Sequence, residues 1–195
     1  LVQLPSAPPL TIEALAEQHR KLNAAGLTSI RYPGASIEQY RLLQEMRKRR
    51  ELTIRINALL RAGTPNADQA IASSGIRQGE GDAWLQVGGI KLGVDGGFEG
   101  GLMRDPYERP WDENGTFGGL QTMDTERFVA TVRELNRQDW LVATHAVGDA
   151  AIDLVLNAYE KANSDRSIAN RQLTIEHAFI GRADHLPRMK ALAVA

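Results

Sequence analysis

From Thr11 onward, a stripe of Ile12, Leu15, Ala16, His19 and Leu22 repeats at helical spacing. That i, i+3, i+4, i+7 pattern predicts a helix with one buried side, and Gly26 gives the stop usual just past a helix end. His19 belongs to the buried stripe and reads as structural. The preceding Leu1 to Pro9, with Pro5, Pro8 and Pro9, reads as extended chain. After Gly26 the pattern turns rhythmic. Thr28 to Tyr32 is a short apolar run ending at Pro33-Gly34, and Ser36 with Gln39 forms a capping box for a helix to about Arg50. Thr53 to Leu60 is β-rich, Ala67 to Ser73 a short helix, and Leu85 to Val94 strand-like. Thr125 to Gln138 is helical with Phe128, Val132 and Leu135 on one side, and Trp140 to Ala146 is strand. Asp149 is placed to cap a helix with Ile152, Val155, Leu156 and Tyr159 inward. Leu173 to Phe179 is strand, Asp184 to Ala191 helix, and Ala191 to Ala195 reads as the opening of another strand.

Strand and helix alternate with short links, which predicts an α/β fold of parallel strands covered by helices. An open doubly wound sheet and a closed barrel both fit that rhythm. One connection, Gly96 to Thr122, is too long for a plain turn; such a loop is functional or disordered.

Composition narrows the partners. The 195 residues are 43% hydrophobic and 24% charged with a formal net charge of −1, as in an ordinary soluble domain. Charges of both signs are interspersed, which argues against nucleic acid or an anionic membrane as partner. The basic run Arg47-Lys48-Arg49-Arg50 closes a predicted helix, where cations suit the carbonyl end of the dipole. With no cysteine, thiolate metal sites, thiol nucleophiles and disulfides are excluded. The compartment stays open, with the cytoplasm the working expectation. No stretch approaches the ~20 apolar residues of a membrane span. The chain begins at Leu1 without an initiator Met and stops inside a strand-like run, so both ends read as cut, and a targeting signal would lie out of view.

Two histidines occupy equivalent places. His145 ends Leu141-Val142-Ala143-Thr144, and His177 ends Leu173-Thr174-Ile175-Glu176, each just before a loop and a helix. Catalytic groups of parallel α/β folds gather at that carboxyl edge, and neighbouring imidazoles can share a metal ion. Hydrogen-bonded histidines near the core are the bland alternative. Lys91 lies inside the buried run Val87 to Val94, where alternation groups it with Gly93 and Asp95. A buried ammonium must snorkel, pair (Asp95 being the nearest candidate) or be chemically altered. A Schiff-base lysine is a further reading. His185, at a helix start, reads as solvated. Asp149 could also orient His145 through its other ring nitrogen. Neither G-x-G-x-x-G nor G-x-S-x-G occurs.

These residues resemble a known family. Thr144-His145-Ala146-Val147-Gly148-Asp149-Ala150-Ala151-Ile152-Asp153 is similar to the H-A-x-G-D-x-A-x-D segment of the amidohydrolase superfamily, in its N-substituted formamide deformylase-like branch. Ile90 to Gly96 resembles the strand-four K-x-x-x-D-G segment, Leu173 to Ala178 the strand-six I-E-H-A segment, and Ala25 to Ser29 the G-x-T-S entry to strand two. The resemblance implies a (β/α)8 TIM barrel with a divalent metal, Zn2+ by expectation, at its carboxyl end. It implies Lys91 as a carboxylated ligand and His145 and His177 as further ligands, the three catalytic positions. Asp95, Asp149, Arg104 and Tyr107 are candidates for substrate contact or support. Phe98, Arg104, Tyr107 and Trp111 in the long connection read equally as a lid over the substrate or as a surface excursion.

By this resemblance the chain covers approximately strands two to seven in one incomplete domain, 1–195. No His-x-His occurs, and no strand-eight aspartate is reached. The expectation is therefore a metal-dependent hydrolase of a non-peptide carbon–nitrogen, amide-type bond in a small molecule, acting through metal-activated water and inactive as this segment alone. A homo-oligomer is compatible with it. The alternatives are a barrel lyase with Lys91 as Schiff base and a metal-free binding domain of barrel ancestry. An open barrel leaves unpaired strand edges, so poor autonomous stability is expected.

Overall fold

The computed structural model describes residues 9–108 and 115–195; the opening extended segment up to Ala7-Pro8 and Trp111 lie outside them. Five strands form one sheet: β1 (Ser29–Ala35), β2 (Arg55–Arg61), β3 (Leu85–Gly93), β4 (Val142–Ala146) and β5 (Thr174–His177). Their spatial order is the order of the chain, and every neighbouring pair is parallel. A doubly wound sheet reverses its order at a switch point, so this order selects the barrel. Curvature confirms it. Arg31 of β1 donates to Glu176 of β5 at 2.5 Å, although four strand spacings would separate the two by about 19 Å in a flat sheet. The molecule is a curled five-strand half-barrel.

Helices α1 (Ile12–Ala24), α2 (Ile37–Lys48), α3 (Pro65–Ser74), α4 (Thr125–Arg137), α5 (Asp149–Asp165) and α6 (His185–Leu192) punctuate the strands. Local chemistry sets their starts. Thr11, Thr64 and Asp124 cap α1, α3 and α4, and Ser36 with Gln39 closes the reciprocal box on α2. The core lies between helices and sheet, where Tyr40, Phe128, Ile152, Leu156 and Tyr159 are sealed against Ile56, Leu60, Ile90, Leu92 and Val142. Residues 193–195 run beside β5, with Ala195 N–H donating to Leu173 O and Ile175 N–H to Ala195 O.

One irregularity decides which face Lys91 takes. Ala58 pairs with Val87 but Leu59 pairs with Gly89, so β3 carries a bulge at Gly88-Gly89. Leu85 and Val87 before it are buried in the core, as are Ile90 and Leu92 after it. The extra residue thus shifts the alternation by one and turns Lys91 away from the helices. Gly89 sits at φ +150°, and a Cβ there would lie 2.6 Å from Leu141 O.

Asp149 does not cap α5. Gly148 occupies the cap without a side-chain bond, and Asp149 is the first helical residue, fully buried. Its Oδ1 accepts the N–H groups of Arg104 and Ala150, and its Oδ2 accepts from the Arg182 guanidinium. His185 is not solvated either: it is 1% exposed, with Nδ1 accepting from Arg182 N–H and Nε2 against Asp153 and Arg104. Arg104 reaches across from the long connection to form this network, which places a charged residue of a loop where a surface helix start was expected.

Candidate metal centre

The carboxyl ends of β1 to β5 surround a cavity of about 480 Å³ lined by, among others, Arg61, Lys91, Asp95, His145, Glu176 and His177. Lys91, His145 and Glu176 reach it by strand alternation, since Ile90, Leu92, Val142, Thr144 and Ile175 take the helix side. His177 arrives differently. Alternation after Glu176 would aim it at the helices, but its backbone is left-handed, φ +77°, followed by Ala178 at φ +47°. Such a conformation is uncommon for a non-glycine residue and often marks a functional position. The His177 ring ends 4.6 Å from that of His145, edge to face.

The ion pair of Lys91 is with Glu176, Nζ to Oε2 2.8 Å, and not with Asp95. Asp95 cannot serve because its carboxylate is occupied by backbone: Oδ2 accepts from Leu102, Val147 and Gly148 N–H at 3.0, 3.1 and 2.9 Å. Its Oδ1 also faces Val147 N–H and lies 3.4 Å from His145 Nε2. Burial pulls the Lys91 pKa below the ordinary lysine value, and the Glu176 carboxylate opposes that fall.

The histidines differ in what they leave free. His145 Nε2 lies 2.9 Å from Gly96 O, and a carbonyl only accepts, so Nε2 carries the proton. Nδ1 makes no hydrogen bond among the described residues. Asp95, rather than Asp149, is therefore the carboxylate beside His145. The His177 imidazole makes no hydrogen bond among the described residues. Its pKa is lowered, first by burial and then by His145 and Lys91, which favours the neutral, ligating form.

The remaining candidates sit elsewhere. Arg104 is spent on Asp153, Asp184 and His185. Tyr107 donates its hydroxyl to Gly101 O, and its ring lies against Phe117. Neither lines the cavity. The described part of the long connection is pinned rather than loose: Leu102 O accepts from Ala150 and Ala151 N–H, and Met103 N–H donates to Gly118 O. Asp153, Asp184 and His185 bring donor atoms within 4.8 Å of one another, but Arg104 and Arg188 already neutralise that cluster. Sequence reasoning did not single out Glu176 or Arg31. The available signal was parity, because Glu176 shares the face of His145 one strand over and is its register partner.

Comparison with known proteins gives the family. The model of the amidohydrolase family matches residues 2–195. The protein LONG AFTER FAR-RED 3 of Arabidopsis thaliana is 37% identical over 100 residues, 49% of this chain and 16% of that protein. YtcJ of Bacillus subtilis (strain 168) is 30% identical over 109 residues, 53% of this chain and 20% of that protein. The crystal structure of an uncharacterized metal-dependent hydrolase from Pyrococcus horikoshii OT3 superposes with a TM-score of 0.78 at 26% identity, covering 95% of this chain and 36% of that one. The chain thus matches well under half the length of each of these relatives. With the family model spanning nearly every residue of this half-barrel, the chain belongs to the amidohydrolase family.

Proposed function

We propose that the whole protein is a metal-dependent hydrolase of a non-peptide, amide-type carbon–nitrogen bond in a small molecule, of the N-substituted formamide deformylase-like kind. The observation that carries this reading is the convergence of Lys91, His145 and His177 from three strand ends onto one cavity. Two imidazoles with unengaged ring nitrogens fit a divalent cation such as Zn2+. Lys91 as an ammonium has no lone pair; it would fit as a ligand only after losing a proton and adding carbon dioxide to become an anionic carbamate.

When bound, such a cation lowers the pKa of a water toward ~7 and polarises the substrate carbonyl. The chain supplies the rest. Gly96 O and Asp95 engage His145 Nε2, so that Nδ1 would be the atom left to hold a metal. The left-handed backbone at His177 turns its ring to the same space. Glu176 and Arg31 neutralise and hold the inner face beneath. Asp95, with its oxygens filled by N–H groups, does not move the proton to the leaving nitrogen; a separate group of the whole protein does.

The test is elemental analysis of full-chain variants. Lys91→Ala, His145→Ala and His177→Ala should each lose metal, and bicarbonate should promote metal uptake in the native protein but not in Lys91→Ala. Native metal content in all three variants would remove the proposal.

The lowered pKa of Lys91 favours a second reading, an amine nucleophile forming a Schiff base. Borohydride trapping of substrate on Lys91, with activity insensitive to chelators, is the result that would replace the hydrolase.

A further inference from the structure

The inner wall of the half-barrel carries one cation that no acid among the described residues neutralises. Arg61 closes β2 and is the register partner of Lys91 on β3, so the two side chains share a face, and both line the cavity bordered by His145 and His177. Arg61 Nε donates to Gly34 O at 3.2 Å. A Cβ on residue 34 would stand 3.0 Å from one terminal NH2 group of Arg61, so the glycine gives the guanidinium its place. The two terminal NH2 groups make no hydrogen bond and no ion pair among the described residues.

The acids around Arg61 are committed elsewhere. Glu176 takes Arg31 and Lys91. Asp95 takes the N–H groups of Leu102, Val147 and Gly148. In the turn after β2, Asp68 accepts from Gly63 N–H and from Arg127. Glu38 borders a second cavity, of about 270 Å³, that Arg61 also lines, but its carboxylate turns to Ser36 and to its own N–H at the start of α2. Arg61 is exposed only to the cavity side, where water serves it while the cavity is open. A substrate that fills the space removes that water. An unpaired guanidinium then opposes binding, whereas an anionic group on the substrate turns the same cation into an attraction.

We infer that Arg61 determines specificity, selecting amide-type substrates that carry a carboxylate a few bonds from the scissile carbonyl. The inference rests on the hydrolase reading above. A planar fork held at one edge by Gly34 O, with both NH2 groups unengaged, matches the two oxygens of a carboxylate. The strand order sets the spacing. Arg61, Lys91, His145 and His177 come from four consecutive strands, so Arg61 stands two strand spacings, roughly 10 Å along the sheet, from His145. A carbonyl at the imidazoles and an anion at Arg61 therefore belong to opposite ends of one small molecule.

The test uses the full chain loaded with zinc and two hydroxamates of equal length as probes. Butyrohydroxamate reports the metal; the monohydroxamate of succinic acid replaces its terminal methyl by a carboxylate. Calorimetric titration should give a roughly tenfold tighter Kd for the succinate probe in the native protein. That preference should shrink as salt is added. In Arg61→Met, which keeps the apolar stem, it should vanish, with metal content and butyrohydroxamate affinity unchanged. Arg61→Lys, which keeps the charge but loses the fork, should retain part of it. Equal affinity for the two probes in the native protein overturns the inference and leaves the hydrolase reading standing; it is also the result expected if another part of the full chain pairs with Arg61. A preference untouched in Arg61→Met overturns it too, as does loss of metal from that variant, which would assign Arg61 to upkeep of the metal centre. Failure of both hydroxamates to bind the zinc-loaded protein overturns the hydrolase reading, and the role of Arg61 with it.

Discussion

The Asp95 carboxylate and the His145 imidazole approach to 3.4 Å while Asp95 accepts backbone N–H bonds from Leu102, Val147 and Gly148. One fully buried carboxylate thus joins β3, the long connection and the turn that opens α5, and it stands behind a candidate metal ligand. Asn in its place keeps one acceptor oxygen but sets an NH2 group against N–H donors. Asp95→Asn should cost about 2 kcal/mol of stability. Metal affinity should fall roughly tenfold or more, as when the oxygen partner of a ligating histidine is lost. Urea unfolding and metal titration of the full chain check both numbers. A variant that unfolds earlier but binds metal as before would make Asp95 a purely structural residue.

Gly148, the cap of α5, lies hard against the long connection. A Cβ there would lie 1.9 Å from Leu102 O and 2.6 Å from Leu102 N, which are backbone atoms that cannot rotate away. Its own φ of −78° is open to any residue, so the requirement is space and not conformation. Gly148→Ala should destabilise by about 3 kcal/mol, the upper part of the overpacking range, by displacing the connection. It should also disturb the Asp95 bonds to Gly148 and Leu102. A melting temperature equal to that of the native protein would show that the connection yields freely.

His19 gives stability a slope with pH. It is 4% exposed, its Nδ1 has no partner among the described residues, and burial lowers its pKa below the ordinary imidazole value. The unfolded chain therefore binds the proton more readily than the folded one. Stability is complete above the unfolded pKa of ~6.5 and declines as pH falls from there toward the folded value. His19→Leu should reduce this decline between pH 7 and 5. A residual slope from His177, also lowered by burial, should remain. Identical pH profiles for the two proteins in urea titrations would show that His19 is not its source.

Much of this was legible in the chain. Ser36 with Gln39 marks the start of α2 because capping is chemistry within four residues. The strand ends bearing His145 and His177 follow from short apolar runs before turns. What stayed hidden depends on contacts between distant residues. Gly88-Gly89 lies inside the run read as one regular strand, yet it is the bulge that turns Lys91 inward. Alternation cannot reveal which face is inner when one extra residue resets it. Asp149 looked like a cap because Asp before an apolar run usually is one; the approach of Arg104 and Arg182 from elsewhere recruits it instead. His185 was misplaced for the same reason. Periodicity left barrel and open sheet undecided; the family resemblance implied the barrel, and the strand order shows it.

Glu176 offers the sharpest contrast between removing an ion partner and removing the charge that several partners share. It accepts from both Arg31 and Lys91, and Arg61 faces the same space, so the inner wall carries three cations around one carboxylate. In Lys91→Met the side-chain volume is nearly kept, one desolvated cation disappears, and Glu176 retains Arg31. The expected change is within about 1 kcal/mol and of either sign. Glu176→Gln leaves Lys91, 15% exposed at its side chain, and Arg31 without an anion; the loss should approach 3 kcal/mol, the lower end for breaking a buried pair. Urea midpoints measured without metal should therefore order native and Lys91→Met together, with Glu176→Gln well below. The double variant should recover most of the difference, because it removes the uncompensated charge along with its partner. If Lys91→Met were instead the more damaging single change, Lys91 would be organising the wall, and the picture of Glu176 as its electrostatic centre would have to be given up.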